Sequence, residues 1–253
     1  MKILKLIPIL IATIIFQTNG LQAQELTAKD IIAKADKKNR GETSKALMSL
    51  TIVRPKWERN IKMKSWSKGT DYFMIYITSP AKEKGQVFLK VGKEMWNYVP
   101  TISRMIKIPP SMMMQSWMGS DFTNDDLVKQ SSIVVDYDHK LIGEEEVRDQ
   151  MCYVIELTPH PEAAVVWGKI KSWITKDGFN VWKNEYYDED GYLQSTENAS
   201  KIKQMGDRKI PTKIEMVPTD EEGNKTIMEF IEIEYNIKID DNFFSKQNMK
   251  RIR

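Results

Sequence analysis

The residue types that most often carry enzyme chemistry are scarce in this chain. Its 253 residues include one cysteine, Cys152, and two histidines, His139 and His160. A zinc site needs about four ligands, and a cysteine nucleophile needs a base beside it. Because these three residues are far apart in the chain, they favour neither a zinc site nor a cysteine nucleophile. The sequence also lacks the Gly-x-Ser-x-Gly elbow, the glycine-rich phosphate loops and the His-Glu-x-x-His motif. We therefore predict that the protein is not an enzyme and has no metal site and no cofactor.

Three aspartates, Asp121, Asp125 and Asp126, lie close together in the chain. A calcium loop needs a glycine at its central turn and a distal bidentate glutamate, and this segment lacks that arrangement. Thr123 and Asp126 instead have the spacing of a capping box, in which each side chain bonds the other residue's backbone N–H. We predict that these aspartates are structural residues around the start of a short helix that runs to about Lys129.

Large, flexible apolar side chains are concentrated between Met95 and Met118, a stretch that holds six of the fifteen methionines. Methionine adapts its shape to varied apolar partners, so it suits a surface that binds hydrophobic ligands. The alternative is ordinary core packing. Pro109 and Pro110 end the preceding strand, because proline cannot donate to the ladder of a sheet. We predict that residues 109–130, called the cover segment below, form a helical insertion across one open end of the sheet.

One helix and many strands must position these residues. Thr27 and Asp30 form another capping box, which predicts a helix from there to about Lys38. The spacing of its apolar residues places Ile31, Ile32 and Ala35 on the inner face, with Ile31 and Ala35 one helical turn apart.

From Ala46 onward the apolar period changes from helical to two, which is typical of strands. Asp177-Gly178, Asp190-Gly191 and Glu222-Gly223-Asn224 are hairpin turn signals between such runs, and strands joined by hairpins are antiparallel. The predicted fold is therefore α+β, with a large curved antiparallel sheet or open barrel covered by a few helices. The predicted strands are Ala46–Val53, Ile61–Ser67, Tyr72–Thr78, Gln86–Val91, Met95–Val99, Ile133–Asp138, Cys152–Leu157, Lys169–Thr175, Asn180–Tyr187, Tyr192–Ala199, Lys209–Met216 and Thr226–Tyr235. Cys152 is predicted to be a small buried hydrophobic residue in one of them.

Residues 1–23 have the pattern of a signal peptide: Lys2 and Lys5, then the apolar run Leu6–Phe16, then a cleavage site near Ala23. The apolar run is shorter than the roughly 20 residues that span a bilayer, and no later segment is long and apolar enough for stable membrane insertion. We therefore expect an exported, periplasmic protein with a single domain at residues 24–253. Its basic residues, 38 in number, nearly balance its 35 acidic ones, so the charge does not indicate a nucleic-acid partner.

Three blocks of residues resemble the signature of the outer membrane lipoprotein-sorting protein family, which is similar to the periplasmic carrier LolA. They are Trp96-Asn97-Tyr98-Val99-Pro100, Arg104-Met105-Ile106, and the run from Met118 to Leu127 that contains Gly119-Ser120-Asp121-Phe122. Phe243-Phe244 and Pro211-Thr212-Lys213 support the resemblance, which extends over essentially the whole chain after the signal peptide.

The resemblance implies an incomplete LolA-like β-barrel that is wrapped around helices and encloses an apolar cavity for acyl chains. LolA-like proteins carry lipoproteins across the periplasm, whereas others bind lipids or sense envelope components. Proteins that resemble this group often work with RND-type exporters. Lys68-Gly69-Thr70 stands where the carriers have an arginine followed by a proline, and that arginine is linked to handing cargo onward. A lipid or other amphiphile is therefore expected as cargo at least as readily as a lipoprotein.

These observations favour a periplasmic binding or carrier protein for a hydrophobic ligand, either a lipid or the acyl chains of a lipoprotein. The alternative is a sensor or accessory subunit that binds another envelope protein and whose cavity is only core. For the carrier, we predict ligand contacts from the first strand, from the motif strand and from the cover segment. The predicted ligand-binding residues are Met48, Leu50, Ile52, Trp96, Tyr98, Met112, Met113, Met114, Trp117 and Met118.

Overall fold

The computed structural model describes residues 26–129 and 133–252. The predicted signal peptide with its cleavage site near Ala23, and residue 130 of the cover segment, lie outside the described residues. Within the described ranges, no helix combines the length and the apolar character needed to cross a bilayer.

The N-terminal helix, α1, runs from Ala28 to Arg40 and begins at the predicted capping box. The Asp30 backbone N–H donates to the Thr27 hydroxyl at 3.1 Å, and the Thr27 N–H donates to the Asp30 carboxylate at 3.0 Å. The helix ends at Gly41, whose N–H donates to the Lys37 carbonyl and whose positive φ turns the following chain away from the helix. Ile31, Ile32 and Ala35 are fully buried, which confirms the predicted inner face.

Thirteen strands follow, and the turn signals place most of them correctly. In chain order they are β1 Thr43–Arg54, β2 Trp57–Lys68, β3 Tyr72–Ser79, β4 Val87–Val91, β5 Glu94–Val99, β6 Arg104–Lys107, β7 Tyr137–Val147, β8 Gln150–Pro159, β9 Lys169–Thr175, β10 Val181–Tyr187, β11 Leu193–Met205, β12 Arg208–Pro218 and β13 Lys225–Tyr235. They form one antiparallel sheet in the order β6-β5-β4-β3-β2-β1-β13-β12-β11-β10-β9-β8-β7. Because β6 and β7 remain the two edges, the sheet is not closed, and the predicted fold class is confirmed.

The sheet curls around one hydrophobic core. Phe73 on β3 and Ile170 on β9 line the same cavity, although their strands would lie more than about 30 Å apart in a flat sheet. Alternation along each strand divides the residues between this concave face and the outer face. On β3, Phe73 and Ile75 belong to the central core, whereas Met74 packs on the outer side.

Two smaller apolar clusters lie outside the central core. The first is formed by β3, β4 and β5 together with the C-terminal segment, which contains the 3₁₀ turn Asp241–Phe243 and the short helix α2, Lys246–Met249. Phe244 in this segment is buried against Tyr72, with ring centroids 5.3 Å apart. The second surrounds Cys152 and Trp173 on β8 and β9, and Cys152 is fully buried there, as predicted.

The cover segment connects the two edges of the sheet, β6 and β7, so it has to cross the open side of the curled sheet. Its described part contains the 3₁₀ turn Pro110–Met112 and the π-helical turn Asp125–Lys129. The predicted capping box is present, because the Asp126 N–H donates to the Thr123 hydroxyl at 3.1 Å and the Thr123 N–H donates to the Asp126 carboxylate at 2.8 Å. Trp117 is fully buried and anchors the segment in the central core.

One strand begins four residues later and ends nine residues later in the chain than predicted. The apolar run Ile133–Asp138 is mostly turn, and β7 instead extends through Glu144, Glu145 and Glu146. As an edge strand it is exposed along most of its length, so it does not show the apolar alternation that marks the other strands.

Candidate functional site

A cavity of about 340 Å³ lies on the concave face, within the size range of small-molecule sites. Helix α1 contributes Asp36, Asn39 and Arg40 to its wall, and the rest comes from the sheet, the region between β6 and β7 and the loop between β8 and β9. The remaining lining residues are Ser44, Ala46, Met48, Met63, Ser65, Ser67, Phe73, Ile75, Phe122, Asp125, Asp126, Leu127, Ile133, Tyr137, Leu157, Trp167, Ile170, Ser172, Val181, Asn184, Tyr186, Glu197, Met228, Phe230 and Ile233.

The cavity exists because side chains change in size along two paired strands. At one end of the β1–β2 pair, Leu50 and Ile61 face each other and are fully buried, so the core there is filled. Toward the other end the same face carries Ala46 opposite Ser65, and then Ser44 opposite Ser67. These side chains are too small to fill the space between the sheet and α1, and the cavity opens where they begin.

Apolar side chains form one part of the wall. Met48 on β1 pairs with Phe230 on β13 and with Met63 on β2, so the three side chains form a continuous apolar strip across the sheet. Phe73 and Ile75 extend this strip along β3. A hydrocarbon chain lying against the strip would be removed from water, which is favourable by about 25 cal/mol per Å² of apolar surface.

The other part of the wall is polar and is formed by β10, β11 and the π-helical turn. The Asn184 side-chain amide donates to Glu197 Oε1 at 3.0 Å, and the Tyr186 hydroxyl donates to Glu197 Oε2 at 3.2 Å. Asp126 accepts a hydrogen bond from the indole N–H of Trp167 at 3.1 Å. We call Asp126, Asn184, Tyr186 and Glu197 the polar end of the cavity.

Burial changes the protonation of both carboxyl groups at the polar end. Burial raises the pKa of Asp126 to about 6 and outweighs the opposing effect of its hydrogen bonds to Thr123 and Trp167. Burial, together with the nearby Asp126 charge, raises the pKa of Glu197 to about 7. The pKa of the Tyr186 phenol is also raised well above its usual value by burial and by the Glu197 and Asp126 charges. The two carboxyl groups therefore change charge close to neutral pH.

The predicted ligand-binding residues do not all lie at this cavity. Met48 lines it, whereas Leu50 and Ile52 are fully buried in the adjoining core. Trp96 and Tyr98 point to the outer face, where they pack with the C-terminal segment, and the Lys246 ammonium lies 4.0 Å from the Trp96 ring centroid. Their contact with a ligand remains a prediction, and it would require a separate site on that face.

The five predicted residues of the cover segment lie away from the cavity wall. Met113 and Trp117 are buried in the central core, whereas Met112 and Met114 are exposed. Met118 accepts a hydrogen bond at its carbonyl from the Arg59 guanidinium. The same segment reaches the cavity through other residues: Phe122, Asp125, Asp126 and Leu127.

Of the four residues at the polar end, only Asp126 was singled out from the sequence, and it was interpreted only as a capping residue. Asn184, Tyr186 and Glu197 were not predicted to bind a ligand. Asn184 and Tyr186 are two residues apart on β10, so they share a face, and Asn184 is directly opposite Glu197 on β11. The sequence feature that could have indicated this polar cluster is the presence of polar residues at alternate positions in two consecutive predicted strands. Nothing in the sequence indicated that this face is the concave one.

Within the described residues, no group of three or more His, Cys, Asp or Glu side chains is arranged to hold a metal ion. The cavity lining combines apolar side chains with hydroxyl, amide and carboxyl groups and the Arg40 guanidinium.

Comparison with known proteins identifies a family model, described as an uncharacterized protein, that matches residues 69–251. No curated protein matches the chain in sequence.

Three solved structures have a similar fold. A DUF1329 family protein from Desulfovibrio piger is 25% identical, with a TM-score of 0.80, and the match covers 88% of this chain and 97% of that one. A putative outer membrane lipoprotein-sorting protein domain from Vibrio parahaemolyticus is 22% identical, with a TM-score of 0.79 over 88% and 98% of the two chains. A LolA superfamily protein from Nitrosomonas europaea is 24% identical, with a TM-score of 0.77 over 88% and 99%. The similarity confirms the predicted LolA-like fold.

Proposed function

Because the chain belongs to the family of uncharacterized proteins whose model matches residues 69–251, and because it has a LolA-like fold, we propose that it binds and carries a hydrophobic ligand. The observation that carries this proposal is the cavity of about 340 Å³ on the concave face, with its strip of Met48, Met63, Phe73, Ile75 and Phe230. This volume is near the lower limit of roughly 300–1,000 Å³ for ligand pockets, so it suits a single small amphiphile.

Transport through the periplasm is the setting that we propose for this binding. It depends on the predicted signal peptide, since an exported carrier has to shield apolar cargo from water between two membranes. We propose a free lipid or other amphiphile as cargo, with the acyl chains of a lipoprotein as the alternative. Lys68, at the position where the carriers have their arginine, forms an ion pair with Asp241 of the C-terminal segment. A role for an RND-type exporter rests on the sequence resemblance alone.

We propose a binding role without catalysis. Cys152, the one cysteine, is fully buried, and burial raises the pKa of its thiol to about 11. A thiol that stays protonated and has no access to solvent is a poor nucleophile. The chemistry of the cavity is therefore recognition of a ligand.

Two measurements test the carrier proposal. Mass spectrometry of organic extracts should identify a lipid or amphiphile in protein purified from its native envelope without detergent. In addition, Met48→Glu should weaken binding of the neutral fluorescent probe N-phenyl-1-naphthylamine at least tenfold, because it places a charge on the apolar strip. Met151→Glu is the matched control, since Met151 is exposed on β8 and does not line the cavity. Equal binding by both folded variants would contradict the proposal.

A second candidate, a sensor or accessory subunit that binds another envelope protein, is favoured by a different observation. β6 is an edge strand, and large apolar residues in and beside it are exposed: Ile102, Ile106, Met112 and Met114. An exposed apolar edge can pair with a strand of another protein. Under this hypothesis, affinity purification from envelope fractions should recover a stoichiometric protein partner, and Ile106→Lys should abolish the association without affecting the fluorescent probe.

A further inference from the structure

The polar end of the cavity presents mainly hydrogen-bond acceptors. The two carboxyl groups, Asp126 and Glu197, come from the cover segment and from β11, and the Asp126 charge contributes to the raised pKa of Glu197. The Oδ1 atom of Asn184 is shielded from solvent and has no hydrogen-bond partner among the described residues. A buried acceptor without a donor is unfavourable, so the free state leaves this end of the cavity incompletely satisfied.

In the part of the chain that the structure describes, no cationic side chain pairs with the carboxyl groups of this end. Among the described residues, Asp126 and Glu197 take part in no ion pair, and their hydrogen-bond donors are neutral: Trp167, Tyr186, Asn184 and a backbone N–H. The described cavity lining contains one cationic side chain, Arg40. Its Nη2 atom lies 3.0 Å from Oδ1 of Asp36, which is one turn earlier in α1. Two carboxyl groups in a recess without a neutralising partner leave room for a positive charge from outside.

The acceptors and carboxyl groups of the polar end indicate which head group a ligand should carry. A carboxylate or phosphate head would meet two like-charged carboxyl groups and would bind only after those groups had taken up protons. A neutral alcohol would satisfy an acceptor but gain nothing from the charges. A protonated amine supplies up to three donors and a positive charge, which is the complement of three acceptor side chains.

We propose that the ligand of this cavity is a cationic amphiphile whose protonated amine binds Asp126, Glu197 and the Asn184 carbonyl oxygen while its hydrocarbon chain lies along Met48 and Phe230. The inference rests on the proposed function, since it assigns the head group of the ligand in the same cavity. The amine belongs either to an alkylamine or to an aminophospholipid.

Binding of the amine depends on pH through the groups around the polar end. These are Glu197 from β11, Tyr186 from β10, Tyr137 from β7, Asp125 and Asp126 from the π-helical turn, and the Asp36–Arg40 pair from α1. The pKa values of Asp126 and Glu197, about 6 and about 7, place their ionisation between pH 5 and 8. An alkylamine stays protonated throughout this interval, because its pKa is about 10. Affinity for the amine should therefore increase at least tenfold from pH 5 to pH 8.

The test is competition against N-phenyl-1-naphthylamine, a neutral fluorescent probe, by decylamine, decan-1-ol and decanoate. Decylamine should compete at least tenfold better than the alcohol and the acid at pH 8. Glu197→Gln, which removes the charge and keeps the size, should reduce the preference for the amine over the alcohol at least fivefold. Glu232→Gln is the matched control, because Glu232 is exposed on β13 and does not line the cavity. Circular dichroism and the alcohol affinity verify that the variants are folded.

The outcomes separate this inference from the proposed function. If neither the probe nor any competitor binds, the proposed function fails and the inference fails with it. If the alcohol or the acid competes as well as the amine, or if Glu197→Gln leaves the amine preference unchanged, the inference is overturned and the carrier proposal stands. A further arm compares lysophosphatidylethanolamine with lysophosphatidylglycerol. A preference for the ethanolamine lipid supports an aminophospholipid, and equal competition together with tight decylamine binding supports an alkylamine.

Discussion

Arg54 and Asp121 form a bidentate ion pair between the end of β1 and the cover segment. Arg54 Nη1 lies 3.0 Å from Asp121 Oδ2, and Nη2 lies 2.9 Å from Oδ1. Both side chains are largely buried, and the Thr226 hydroxyl of β13 donates to Asp121 Oδ2 at 2.6 Å. The Gly119-Ser120-Asp121-Phe122 block therefore attaches the cover segment to the two central strands of the sheet. In this protein, the block that carries the sequence resemblance has a structural role.

Loss of this ion pair should destabilise the protein strongly. Asp121→Asn leaves the buried Arg54 guanidinium without a charge partner, and removing one partner of a buried pair costs about 3 kcal/mol or more. The free energy of unfolding from urea denaturation measures the change. Lys45 and Glu234 form an exposed pair at 2.8 Å, and Lys45→Met should cost at most about 1 kcal/mol. A similar small loss in both variants would show that the Arg54–Asp121 pair is unimportant for stability.

Asp126→Ala should destabilise the protein by about 2 kcal/mol. About 1 kcal/mol of this is the usual cost of losing a capping interaction, here the bond from the Thr123 backbone N–H to the Asp126 carboxylate. The remainder arises because the Trp167 indole N–H loses its acceptor in a buried site. The comparison variant is Thr123→Ala, which removes the cap hydroxyl and keeps the bond to Trp167. A loss for Asp126→Ala no larger than for Thr123→Ala would contradict the role assigned to Trp167.

Glu197 should make the protein less stable as pH rises. Its pKa is raised from 4.5 to about 7 in the folded protein, so between these pH values the folded state binds more protons than the unfolded state. Stability from this group is therefore fully present below about pH 4.5 and is lost as pH rises through 7. The effect is about 3–4 kcal/mol, because one pKa unit corresponds to about 1.4 kcal/mol.

The measurement is the difference in unfolding free energy between the parent and Glu197→Gln at pH 4.5 and pH 8. Taking this difference cancels the titration of all other groups that the two proteins share. The variant should become more stable relative to the parent as pH rises. A difference that is independent of pH would mean that the pKa of Glu197 is the same in the folded and unfolded states.

Filling the cavity with a neutral side chain should abolish binding without unfolding the protein. Ser65 is buried in the cavity wall, and Ser65→Leu projects an isobutyl group into space that the ligand would occupy. Binding of the neutral probe N-phenyl-1-naphthylamine should weaken at least tenfold, while overpacking costs about 1–3 kcal/mol of stability. Ser49→Leu on the other face of the sheet is the matched control and should bind normally. Undiminished binding by Ser65→Leu would place the ligand elsewhere.

Local patterns in the sequence predicted most of the elements. Both capping boxes, at Thr27 and at Thr123, begin helical turns where expected, since each depends on residues three positions apart. Hairpin turns such as Asp177-Gly178 determine antiparallel pairing between neighbouring strands for the same reason. The edge strand β7 was displaced in the prediction, because an edge strand with few buried residues has no apolar alternation to detect.

The site depended on the tertiary structure. Strand alternation shows that Trp96 and Tyr98 share a face, but only the C-terminal segment packed on that face shows that it is the outer one. Asn184 and Glu197 are opposite each other on neighbouring strands, whereas Asp126 is far from both in the chain and reaches them only because the sheet curls and the cover segment crosses it. The sequence by itself determined most of the elements, and the antiparallel pairing of strands joined by hairpins, through short-range geometry. The position of the cavity and the charges inside it were decided by long-range packing, which a periodicity of two cannot encode.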